Sequence, residues 1–199
     1  MIFLNIQTFI LVFFVLGCTG WVCESIQESI VRQKFVNKGF FKGPFVLSQA
    51  IGGVCVYALG CKFKESPILV FAAGVAVCTA VEYLAAIFVE KCFKVKCWDY
   101  ASYPHTKWCH FQGRICLTIS LFFGLITLFL VYVYMDIILN IAAKAGSAIW
   151  IIDGILAVLF LVDVIFSCIK IFKYKKAGIK IKSWAVFSDF ADIDKMDVL

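Results

Sequence analysis

"PILVFAAGVAVCTAVEYLAAIFV", residues 67–89, holds a single charge in 23 positions, Glu82. A helix needs about 20 mostly apolar residues to cross the hydrocarbon core of a bilayer, and this stretch has them. The rest of the chain follows the same pattern. Of 199 residues 63% are hydrophobic and only 16% charged, with a mean hydropathy of +0.95. Ordinary globular domains are roughly 45–50% apolar and about 25% charged. So few charges cannot cover a soluble surface of this size, so the chain reads as an integral membrane protein.

Three further runs, Ile2–Cys23, Gly43–Cys61 and Ile115–Met135, carry no charge, and Ser147–Ile169 carries Asp153 and Asp163. The expectation is an all-α, polytopic protein of five transmembrane helices, at about 2–23, 43–61, 67–89, 115–135 and 147–169. Residues 1–172 would form one domain, followed by a basic, amphipathic tail over 173–199. In that tail Trp184, Phe187 and Phe190 repeat every three residues, the pattern of a short surface helix on the inner leaflet. The first run lacks a basic leader region and a small-x-small cleavage site, so it reads as a helix rather than a signal peptide.

Orientation follows from the basic residues. Sixteen of the 19 Lys and Arg fall in the first loop, the third loop and the tail, against Lys62, Lys64 and Lys144 on the other side. The N-terminus is expected outside and the C-terminus in the cytoplasm, in a cell (plasma) membrane. The formal charge of +6 belongs to this bias and to the anionic inner leaflet. It does not argue for nucleic acid.

Ten cysteines need an account. Most sit in or beside the apolar runs, where a free Cys behaves as a small hydrophobe. Cys92, Cys97, His105, Cys109 and His110 crowd one loop, yet they include no C-x2-C pair and match no familiar zinc spacing. Neither a metal nor a cofactor is expected.

Charges within a bilayer usually face protein and mark a site. Glu82 lies about 22 Å along its helix at 1.5 Å per residue, at inner-leaflet depth. Gly74, Cys78, Glu82, Ala86 and Glu90 recur every four residues and form one stripe, whose small members allow close helix approach. Asp163 has a similar depth, with Ser167 and Lys170 on its face, and is expected to serve structure. Asp136 and Asp153 lie near the outer ends, within reach of water, and receive no role. Glu24 closes the first run behind Trp21, and Arg114 opens the fourth. Glu24, Glu82, Asp99 and Arg114 therefore converge from four segments on the cytoplasmic half, with Arg114 expected to pair with Glu82.

Read in order, the motifs are "GWVCES" (Gly20–Ser25), "KFVNKGFFKGP" (Lys34–Pro44), "VEYLAAIFVEKCF" (Val81–Phe93), "CWDYAS" (Cys97–Ser102) and "GRICL" (Gly113–Leu117). Together they resemble the CmpB-like family of small bacterial membrane proteins, labelled type IV ABC-transporter permeases. The resemblance spans about Gly20 to Met135. The family pattern falls on Trp21, Glu24, Asn37, Gly39, Gly43, Pro44, Glu82, Tyr83, Glu90, Trp98, Asp99, Tyr100, Gly113 and Arg114. This chain departs from it at Lys38, where Arg is usual, over Val46–Gln49 in place of Pro-Ile-Tyr-Gly, and at Cys97 and His110, which replace a Trp and an Asn.

The resemblance implies a transporter or transporter subunit. The chain lacks G-x4-G-K-[ST], so it is not itself the ATPase of such a system, and a homodimer or a separate partner subunit is expected. Trp21, Glu24, Asn37, Glu82, Trp98, Asp99, Tyr100 and Arg114 would line a pocket for a small polar or amphipathic ligand. Two alternatives stand beside this reading. One is an intramembrane enzyme on a lipid or isoprenoid headgroup, with Glu82 or Asp99 as base and Arg114 on a phosphate. The other is a structural partner of another membrane protein.

Overall fold

The computed structural model describes residues 6–38, 40–93, 96, 98–102 and 106–176. The chain is mostly helical: α1 (Ile6–Arg32), α2 (Leu47–Gly60), α3 (Pro67–Phe93), α4 (Leu117–Phe129), α5 (Met135–Ala145) and α6 (Ala148–Lys176). A two-residue-per-strand hairpin, β1 (His110–Phe111) and β2 (Ile115–Cys116), precedes α4 and pairs antiparallel. Between α4 and α5 the chain makes a π-helical turn, Leu130–Tyr134, in which Met135 N–H reaches back to the Leu130 carbonyl. α4, this turn and α5 thus form one unbroken helix, Leu117–Ala145.

Among the described residues four helices are long and apolar enough to cross a membrane: Ile6–Ile30, Pro67–Cys92, Leu117–Ala145 and Ala148–Lys170. α2 is shorter. Its 14 residues rise about 21 Å at 1.5 Å each, and a 3-10 turn, Cys61–Phe63, continues it. The span expected from Gly43 starts at Leu47 instead, because Phe40–Val46 is irregular chain that folds into the bundle.

The other boundaries shift for one reason. Apolar runs stop where polar residues begin, but helices do not. α1 continues through Glu24 to Arg32, and the fourth helix passes Asp136 to end at Gly146, where φ is +53°. In that last portion Met135, Ile138 and Ala142 are buried at helical spacing, so packing rather than hydropathy carries the helix outward. Ile115 and Cys116, expected to begin a helix, form a strand instead. The expected surface helix over 184–190 lies outside the described residues.

α3 packs on α4 and on α2, and α2 on α1. A Cβ on Gly74 would collide with Thr127 of α4, which is the close approach the small-residue stripe leads one to expect. One core gathers Val12, Leu16, Val56, Tyr57, Leu130, Met135 and Ile138. A second consists of phenylalanines, with Phe14, Phe41 and Phe45 around Phe160 of α6 and the Phe45–Phe160 centroids 4.7 Å apart. The exposed face is apolar too: Leu84, Phe88, Leu125, Val158, Leu161 and Ile165 all stand outward, as lipid-facing side chains do.

Candidate functional site

The site draws on the end of α1, the described part of the chain between α1 and α2, Gln49 of α2, Glu82 of α3, and the described part of the loop between α3 and α4. The last turns of α1 carry Trp21, Glu24, Ser25, Glu28 and Ser29 at i, i+3, i+4, i+7 and i+8, one face of a helix. That face holds the following chain in place. Trp21 Nε1 donates to Asn37 Oδ1 at 2.6 Å, Lys38 N to Ser25 Oγ at 3.1 Å, and Val36 N to Ser29 Oγ at 2.9 Å. Asn37 Nδ2 in turn donates to the Lys42 carbonyl at 2.7 Å. The next residues turn inward and dock on α6, where Asp163 accepts from Lys42 N (3.2 Å) and Gly43 N (2.9 Å). The Ser167 hydroxyl also donates to Asp163, at 3.3 Å. Asp163 therefore anchors the Gly43-Pro44 turn, and Ser167 completes the anchor.

The docked chain delivers α2 with Gln49 facing α1, and Gln49 Nε2 donates to Glu24 Oε1 at 2.8 Å. Lys38 reaches Glu28 Oε2 at 3.4 Å, with side chains only 13% and 9% exposed. The charge of Lys38 also acts on Glu24 and Glu82, and that of Glu24 on Glu82. Lys38 is thus paired with Glu28 and lies within electrostatic reach of Glu24 and Glu82.

Glu82 meets the second loop. Tyr100 OH donates to Glu82 Oε1 at 2.6 Å, while Glu82 Oε2 is buried with no hydrogen-bond partner among the described residues. Burial and then the Glu82 charge hold the Tyr100 phenol well above its ordinary value, so it stays a donor. The backbone explains how Tyr100 comes to point inward. Asp99 Oδ1 accepts from Ala101 N at 3.0 Å and the Asp99 carbonyl from Ser102 N at 3.1 Å, an Asx turn of the kind Asp favours. Tyr100 N donates to the Gly113 carbonyl at 2.8 Å, and Trp98 Nε1 to the Arg114 carbonyl at 2.8 Å. Gly113 has φ +71°, and a Cβ there would strike Asp99 Oδ1. Only glycine fits that turn at low cost.

Of the four charged residues expected to converge, the structure brings Glu24 and Glu82 into one electrostatic cluster. Asp99 shapes the loop that carries Tyr100 and pairs with Lys96 at 3.2 Å. Arg114 is not the partner of Glu82. Its Nε and Nη2 donate to Glu90 Oε2 at 3.0 and 2.6 Å, and Nη1 bonds Gln112. This pairing with Glu90 raises the guanidinium further above its ordinary value. The reason is helical phase and length: Glu90 is two turns beyond Glu82 on the same stripe, level with the hairpin that presents Arg114. A cation whose charge acts on Glu82 is Lys38, which the sequence reading placed in the first-loop motif but not in the site. Ser25, Glu28 and Gln49 were also missed, although the spacing of Ser25 and Glu28 from Trp21 and Glu24 was a usable signal. Asp153, expected within reach of water, is instead buried, with both carboxylate oxygens unpartnered among the described residues.

Among the described residues no group of three or more His, Cys, Asp and Glu could hold a metal. Of the loop residues weighed for one, Cys97 and His105 lie outside the described residues. Cys92 is exposed, and His110 Nδ1 accepts from Gly113 N at 3.1 Å.

The arrangement is that of a multi-pass membrane bundle with ionisable side chains buried between its helices, roofed by two folded-in loops. The chain belongs to the CmpB-type family described as "Putative ABC-transporter type IV", whose model matches residues 11–168. That match runs beyond the motif-bearing stretch at both ends and takes in Asp163 of α6. Neither a curated protein nor a solved structure matches the chain.

Proposed function

We propose that this protein is a membrane-embedded transport subunit whose working site is the buried cluster of Glu24, Glu82, Tyr100, Gln49 and Lys38. In this reading it crosses the membrane five times, α2 making the short pass, with the N-terminus outside and the C-terminus cytoplasmic. Trp21 and Asn37 hold one loop over the site, and Trp98, Asp99 and Arg114 hold the other. The ligand is a small polar or amphipathic molecule, bound with a proton or cation on Glu82. It works as a homodimer or with a separate partner subunit, and energy for uphill transport comes from a separate ATPase subunit or from the proton or cation carried on Glu82.

One observation carries the proposal. Glu82 Oε2 is buried and unpartnered, beside a tyrosine donor and within the fields of Glu24 and Lys38. A carboxylate used only to join helices would have both oxygens satisfied; this one keeps an acceptor in reserve for a proton or a ligand donor. The enzyme alternative is weaker, because the guanidinium it needs for a phosphate is occupied by Glu90.

The test is mass spectrometry of small molecules that co-purify with the protein, in wild type and Glu82→Gln prepared alike. A defined molecule retained by wild type and lost from a monodisperse E82Q sample is the expected result. That molecule should then enter proteoliposomes holding the wild-type protein. Equal retention by both samples would reject Glu82 as part of the site.

A further inference from the structure

The hairpin at the end of the loop between α3 and α4 carries a feature that transport does not use. Cys109 immediately precedes β1 and Cys116 ends β2, and their sulfurs lie 2.7 Å apart. The register pairs His110 with Cys116, while Leu117 N donates to the Cys109 carbonyl at 3.1 Å. Cys109 stands just outside the ladder, and the Leu117–Cys109 backbone bond closes the hairpin beyond the last pair, where the two sulfurs meet. Cys116 is 1% exposed and Cys109 half-buried. The Thr118 hydroxyl lies 3.4 Å from Cys109 Sγ.

We propose that Cys109 and Cys116 form a peroxide-reactive dithiol, with Cys109 the attacking and Cys116 the resolving thiol. The asymmetry of the pair assigns the roles. Hydrogen bonding from the Cys116 thiol and then the Thr118 hydroxyl lowers the pKa of Cys109, while burial raises that of Cys116. Reactive thiols are the accessible, thiolate-prone ones with a resolving partner beside them. The Cys109 thiolate attacks one oxygen of hydrogen peroxide and the O–O bond breaks. The departing hydroxide takes a proton and leaves as water, and Cys109 becomes a sulfenic acid. Cys116 then attacks that sulfur and expels a second hydroxide, which is protonated by the proton Cys116 gives up. Two thiols and one peroxide yield one disulfide and two waters, the two electrons passing from sulfur to the peroxide bond. Closure would lock the hairpin whose turn supplies the Gly113 carbonyl to Tyr100 and Arg114 to Glu90.

Trypsin cuts after Lys107, Arg114 and Lys144, so the two cysteines fall in separate peptides, Trp108–Arg114 and Ile115–Lys144. The full-length protein in detergent is exposed to hydrogen peroxide, alkylated and digested without reductant. The expected product is the linked peptide pair, released by dithiothreitol and formed about tenfold or more faster than in the SDS-unfolded chain, because the fold holds the thiols together. In Cys116→Ser, Cys109 should stop at the sulfenic acid and be trapped by dimedone. No linked pair in the wild type, equal rates folded and unfolded, or Cys109 joined mainly to other cysteines would each overturn the proposal. So would failure of dimedone to mark Cys109 in a C116S sample that keeps its helical circular dichroism.

Discussion

Replacing Tyr100 by Phe removes one hydroxyl and leaves the ring. That hydroxyl makes a 2.6 Å bond to Glu82 Oε1, and the other carboxylate oxygen is already unpartnered among the described residues. Tyr100→Phe thus leaves a buried carboxyl with neither oxygen bonded to protein. A hydrogen bond to a charged group is worth about 1.5–3 kcal/mol, and an orphaned buried group costs a similar amount. The expected loss is about 2 kcal/mol. Glu82→Gln removes the charge but keeps a carbonyl that the phenol can still reach, so its loss should be smaller, about 1 kcal/mol. Once Glu82 is Gln, removing the Tyr100 hydroxyl no longer strands a charge, so the double variant should fall short of the sum by about 1 kcal/mol. Unfolding in mixed detergent micelles, followed by circular dichroism, measures all four proteins. Additive losses, with a coupling below about 0.5 kcal/mol, would refute the claim that Tyr100 is the protein's own ligand to Glu82.

The same cycle on Glu90 and Arg114 should show clear coupling, since the guanidinium donates to the carboxylate through both Nε and Nη2. Glu82 with Arg114 should be additive within about 0.5 kcal/mol, and strong coupling there would contradict the observed pairing. Asp163→Ala strands the Gly43 amide and leaves the Lys42 amide only the Ser167 hydroxyl, and should cost about 1–3 kcal/mol, read as a lower unfolding midpoint; an unchanged midpoint would mean the turn is held elsewhere. Because the folded-state value for Tyr100 lies above the ordinary 10.0, its contribution to stability is complete below that pH. It declines above it, as the unfolded chain releases a proton that the native state retains. Wild type should therefore lose stability faster than Tyr100→Phe above about pH 10, and parallel profiles would contradict this. For topology, single cysteines at Lys38 and Lys107 in a cysteine-free background should resist an impermeant external thiol reagent while one at Lys64 labels; labelling at Lys107 would reverse the orientation.

Membrane class, helical architecture and the position of Glu82 along its helix are one-dimensional properties, and the sequence alone determined them. Apolar run length decides whether a segment can lie in lipid, and the period of four decides which side of a helix a carboxyl occupies. The motif residues were legible for the same local reason: Trp21 with Glu24, the Gly-Pro turn and the Asp99 turn are short-range patterns. Tertiary structure decided the pairings. Lys38 and Arg114 are both cations near helix ends, and nothing in their spacing says which one's charge acts on Glu82 and which one pairs with Glu90. The choice follows from α1, whose polar face draws the chain 33–38 over the site through Ser25, Ser29 and Trp21. It follows equally from the hairpin, which lifts Arg114 to the level of Glu90, two helical turns away. Asp153 and the Cys109–Cys116 contact belong with these. A residue's depth along its own helix can be counted from the sequence, but its burial and its partner depend on what a different segment places opposite it.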